Sequence, residues 1–104
     1  MWYAIDLLLF GKREGRNIDP HLWEETIILV QAEDEQMAIK KGEIIGKRLE
    51  TNYVSVTNER VFWSFDRIIM TYEIDSDVLE EGVEVFSRHL RKEEAKSLCT
   101  PFDE

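Results

Sequence analysis

Residues 2–10 read Trp2-Tyr3-Ala4-Ile5-Asp6-Leu7-Leu8-Leu9-Phe10, and their spacing decides what the rest of the chain must build. Side chains of a strand alternate between its faces, so Tyr3, Ile5, Leu7 and Leu9 fall on one side. Trp2, Ala4, Leu8 and Phe10 fall on the other, interrupted by Asp6. A strand apolar on both faces belongs in the middle of a sheet or under cover on both sides. The same run superficially resembles a signal-peptide core. It lacks a basic leader, contains Asp6 and has no small-residue cleavage site, and it is far too short to span a bilayer. A cytoplasmic location is therefore expected.

Outward from this strand, Gly11-Lys12-Arg13-Glu14-Gly15-Arg16-Asn17 is charged and glycine-bearing, and Asp19-Pro20 prolongs the turn chemistry. Residues 11–20 are thus expected to form an exposed loop. Residues 23–32, WEETIILVQA, predict a second strand with a β-branched centre. Trp23, Glu25, Ile27 and Leu29 share one of its faces; Glu24, Thr26, Ile28 and Val30 share the other.

Residues 34–50 predict a helix. Asp34 is suited to cap it, acids lie at its start and Lys47 and Arg48 near its end, an order that complements the helix dipole. Ala38, Gly42, Ile45 and Leu49 recur at spacings that make one buried stripe. Gly42 and Gly46 each cost about 1 kcal/mol in helix propensity, and are read as permitting close packing on a sheet.

A short strand is expected at Val54 and Val56, then a turn at Thr57-Asn58-Glu59, then a long strand from Arg60 to Ile74. Its early apolar positions are Val61, Trp63 and Phe65; its later ones are Ile68, Met70, Tyr72 and Ile74. A period of two cannot change parity without an extra residue, which predicts a β-bulge near Asp66-Arg67. Asp75-Ser76-Asp77 and Glu80-Glu81-Gly82 read as turns. Val83 to Arg88 alternates again and is read as a fifth strand. A helical alternative for 77–90, with Val78, Leu79, Val83, Phe86 and Leu90 on one face, is disfavoured by Gly82. Residues 91–104 are expected to hold a short terminal helix, stopped by Pro101, and a tail. The whole predicts one α+β domain over residues 1–104, in the order β-β-α-β-β-β-α. An antiparallel sheet of about five strands would carry the main helix on one face.

Composition bounds the function. The chain has 104 residues, 43% hydrophobic and 34% charged, enough for one core and too apolar for disorder. Its net charge of −9, from 22 acidic and 13 basic side chains, repels phosphate backbones and anionic membranes. Neither nucleic acid nor membrane is expected as a partner; a basic protein is. Cys99 is the only cysteine, so no internal disulfide or thiolate metal cluster can form.

Constellations of chemical residues are sparse. Glu24 and Glu25 point to opposite strand faces and cannot form a shared acid/base pair. One is expected to be solvated, the other paired with a basic neighbour. His21 and His89 lie far apart without helical partners, too few for a zinc site. Asp75, Asp77, Glu80 and Glu81 lack calcium-loop spacing. Cys99 has no oriented base in its sequence neighbourhood. Trp2, Trp23 and Trp63 are expected mostly in the core, and an exposed one would become a contact candidate.

Several segments together resemble a family of short, uncharacterised bacterial proteins catalogued as a domain of unknown function. They are Trp2-Tyr3, Trp23-Glu24-Glu25, the Glu59–Glu73 stretch with Trp63, Phe65, Ile68 and Tyr72-Glu73, and Gly82 through Arg88. The resemblance implies a stand-alone cytosolic domain and brings no catalytic residues with it.

The expected function is a non-catalytic protein-interaction domain. One form is an immunity- or antitoxin-like protein that covers a basic partner such as a nuclease. The alternative is a small enzyme, or a metal or small-ligand binder with an acidic site. Trp23, Glu24, Glu25, Asp66, Arg67 and Arg88 are the candidate binding residues; no catalytic residue, metal ligand or cofactor is expected. A homodimer through a free sheet edge is compatible with either activity.

Overall fold

The computed structural model describes residues 1–15, 22–76 and 78–102. The elements run β1 (Trp2–Arg13), β2 (Leu22–Gln31), α1 (Glu35–Arg48), β3 (Thr51–Val54), β4 (Arg60–Ile74) and α2 (Lys92–Cys99). The strands form one antiparallel sheet in the order β2-β1-β4-β3. Among the described residues the protein is therefore α+β with a sheet of four strands rather than five. The apolar first strand is central, paired with β2 on one side and β4 on the other. Among the described residues, no helix is long and apolar enough to cross a membrane.

β1 runs three residues further than its apolar run, into the expected loop at 11–20. Lys12 and Arg13 pair with Phe62 and Val61, so the length of β4 draws the charged end of β1 into the ladder. Of the rest of that loop, Glu14 and Gly15 form a turn. Asp19, Pro20 and His21 lie outside the described residues, as does Asp77.

α1 packs on the face that carries Tyr3, Ile5, Leu7 and Leu9. These four, with Val30, Ala32 and Ala38, are the buried cluster of the core, and Ile28, Ile45, Trp63, Phe65 and Ile68 pack against it. The buried residues of α1 are Ala38, Gly42 and Gly46. Gly46 thus takes the place expected of Leu49, which is 40% exposed. The small residues set how close the helix comes. A Cβ at Gly42 would lie 2.9 Å from Ile5 Cγ2, and one at Gly46 2.7 Å from the Phe65 ring.

Asp34 caps α1 as its position predicts, its Oδ1 accepting from Met37 N–H at 2.8 Å. Asp34→Ala should cost about 1 kcal/mol, because an N-terminal N–H loses its acceptor. Urea denaturation against wild type measures this; an unchanged midpoint would show that the cap contributes nothing.

β4 carries two irregularities, of which the first absorbs the parity change and the second reverses it. Phe65 pairs with Leu9 and Arg67 with Leu8, leaving Asp66 as an extra residue; Ile68 pairs with Leu7 and Met70 with Asp6, leaving Ile69 as another. The first is the predicted bulge. The second sends Ile68 to the helix face and Met70, Tyr72 and Ile74 to the opposite one.

The expected fifth strand does not form. Gly82 turns the chain with φ +88°, and residues 83–90 carry no ladder. The segment instead lies over the sheet face away from α1. Phe86 packs its ring 6.0 Å from that of Tyr72, and the Tyr72 hydroxyl donates to Glu84. Alternation of Glu84, Phe86 and Arg88 serves to lay side chains on a face, a use that imitates strand periodicity. The α2 helix lies where expected and has no buried residue.

Candidate functional site

Asp6 sits at the centre of the sheet, on the face away from α1. It is 0% exposed and is the one charged residue among the described residues that is fully buried. It is opposite Ile27 on β2 and Met70 on β4. Neither carboxylate oxygen has a hydrogen-bond partner, so nothing replaces the hydration that its charged form loses.

Two of the sequence-predicted contacts gather around it. Glu25, opposite Leu8 two pairs further along the ladder, projects to the same face. Arg88 approaches from the segment that lies over the sheet. Burial raises the Asp6 carboxyl from its ordinary 3.8 to about 7; the adjoining Glu25 carboxyl and its charge push the same way, and the Arg88 guanidinium opposes them. A protonated Asp6 can offer its hydrogen to Glu25, an arrangement that two ionised carboxylates cannot share. Arg88 is also held at 4.0 Å from Glu94 of α2. The group is a buried carboxyl with a second carboxyl and a guanidinium close by.

The other candidates lie elsewhere. Trp23 is on the same sheet face toward its far end, its ring 5.4 Å from and tilted 55° to that of Phe10, its cross-strand partner. It is 47% exposed, whereas Trp2 and Trp63 are half-buried. Glu24 projects to the α1 side, where its Oε1 accepts from Thr26 Oγ1 at 3.2 Å. Neither glutamate has the basic partner expected for one of them among the described ion pairs. Asp66 and Arg67 lie at the bulge and pair with each other at 2.6 Å. They border a groove between α1 and the outer edge of β4 that also holds Glu35, Glu43 and Lys47. Although Arg67, Leu8 and Glu25 are in one cross-strand row, the Arg67 guanidinium is turned to Asp66 and away from the pair at Asp6.

Asp6 is the residue that sequence reasoning passed over. Its signal was present: an acid inside an apolar strand whose two faces both predict burial. The identity of its neighbours was not, because Glu25 and Arg88 arrive through strand register and through a segment without regular structure. Among the described residues, no group of three or more His, Cys, Asp or Glu converges to hold a metal ion.

No curated protein and no solved structure matches this chain. A family model does, along residues 2–87, which take in the sheet, α1 and the segment as far as Ser87. The chain belongs to the family described as Domain of unknown function (DUF4288).

Proposed function

We propose that this chain is a non-catalytic protein-interaction domain that engages a basic partner through β2. One observation carries the reading. Trp23, Ile27 and Leu29, all on one face of an edge strand, are 47%, 46% and 41% exposed, with Glu25 between them. An exposed apolar row of this kind, led by a tryptophan and broken by one carboxylate, has the composition of an interface centre. The strand's outer edge adds backbone groups that a partner strand can pair.

Net charge of −9 supports the choice of a basic partner, since complementary fields speed association and reject like-charged competitors. An immunity- or antitoxin-type pairing is the concrete form: the acidic domain covers a basic nuclease surface, its carboxylates standing where phosphates would bind. Coulomb attraction supplies the encounter, and burial of Trp23 supplies the hold.

Affinity capture from native lysate with immobilised wild type and Trp23→Ala, at low and high salt, tests the proposal. A basic protein should be retained at low salt, weakened at high salt, and lost at least about tenfold with Trp23→Ala. Capture that ignores both salt and the substitution overturns the reading. A doubled mass of the isolated protein, abolished by Trp23→Ala, would assign the same surface to a homodimer instead.

A further inference from the structure

Beside the C-terminal end of α1, a groove of about 400 Å³ opens on the helix-bearing side of the sheet, within the size range of small-molecule sites. Leu9 of β1 lies between Glu24 and Thr26 of β2 and the paired aromatics Trp63 of β4 and Tyr53 of β3. Gly11, opposite Trp63 on β1, fixes the indole. A side-chain carbon there would meet the ring at 3.2 to 3.4 Å, so the ring lies against bare backbone. The indole Nε1–H donates to the Tyr53 hydroxyl at 3.3 Å, joining the two rings into one wall.

The charge on this groove is one-sided. Glu24 is exposed and, among the described ion pairs, has no basic partner. Among the described residues lining the groove, none is Lys, Arg or His. An aromatic face attracts a cation through its quadrupole, and a carboxylate attracts it through charge. We propose that this groove binds a small organic ammonium ligand, its cationic head held between the Glu24 carboxylate and the aromatic wall of Trp63 and Tyr53. Leu9 supplies apolar contact to the ligand's carbon atoms. The site is independent of the β2 interface, because Glu24 and Trp23 point to opposite faces of the strand.

The test uses choline chloride, titrated at constant ionic strength and read on the Trp63 indole Nε1–H resonance, assigned by its loss in Trp63→Phe. The comparison ligand is the uncharged isostere in which a tert-butyl group replaces trimethylammonium. Choline should give a saturable shift, and the alcohol at the same concentrations little or none. Glu24→Gln should weaken choline about tenfold, equivalent to roughly 1.4 kcal/mol, while Glu33→Gln, a charge-matched surface control, leaves it unchanged. An equal response to both ligands overturns the proposal, as does the absence of saturation or an equal loss in the two glutamine variants. Failure of Trp23→Ala to affect protein capture would leave this result untouched, so the two proposals fall separately.

Discussion

Raising the pH from about 4 to about 7 should cost this protein on the order of 4 kcal/mol through Asp6 alone. In the unfolded chain Asp6 loses its proton near the ordinary carboxylate value. In the fold, burial and the adjoining Glu25 keep it protonated to about 7, with Arg88 opposing them. Between these limits the folded state binds more protons, so the free energy of unfolding falls as pH rises. The contribution is fully present below the unfolded value and lost as pH climbs through the folded one. Other acids titrate in the same window, and Asp6→Asn separates them because asparagine does not titrate. The difference in urea unfolding free energy between wild type and Asp6→Asn should therefore slope with pH by about 1.4 kcal/mol per unit. At low pH wild type is favoured; toward pH 8 the variant gains. Parallel curves across the window would remove the buried carboxyl from the account. Arg88→Met should shift the wild-type slope to higher pH, since it removes the charge that opposes protonation.

Ile5→Ala should destabilise the fold by about 2–5 kcal/mol, the usual range for emptying a fully buried aliphatic site. Ile5 is 0% exposed and lies in the central strand, directly beneath α1. Gly42→Ala should cost about 1–3 kcal/mol through overpacking, although alanine improves helix propensity by about 1 kcal/mol. The added carbon would lie 2.9 Å from Ile5 Cγ2 and 3.2 Å from Ile68 Cδ1, so the helix must lift or both side chains must turn. The two changes share one space, and the double variant should be less destabilised than the sum of the singles. Ile5→Ala removes the methyl that the new Cβ strikes. Urea denaturation of all four chains completes the cycle. Additive losses would mean that the helix does not rest on Ile5 through Gly42.

Both experiments probe features that pattern reading reached only in part. That Gly42 and Gly46 allow close packing followed from the place of one on the helix stripe and of the other near it, and the contacts with Ile5 and Phe65 bear it out. That Gly46 rather than Leu49 completes the buried stripe did not follow, since an apolar residue and a glycine one helical turn apart compete for the same position. The bulge at Asp66 was legible from parity. The second at Ile69 was not. Ile68 and Met70 are apolar whichever face they take, so a change of face between them leaves no mark in the hydrophobic pattern. For residues 83–88, alternation was present but its use was not. A strand added to an edge and a segment laid on a face require the same period.

The chain's local chemistry by itself determined the central strand, the α1 helix with its Asp34 cap, and the presence of a bulge in β4. Each follows from side-chain period, capping preference or parity, which act between residues near one another along the chain. The site at Asp6 was decided only by tertiary structure. Pairing with β2 brings Glu25 to the same face, and the turn at Gly82 carries Arg88 back over the sheet. The groove at Trp63 likewise needs four strands in one register and a helix that stops short of their ends. Desolvation and charge act through space, so no spacing in the sequence could state which carboxyl would hold its proton.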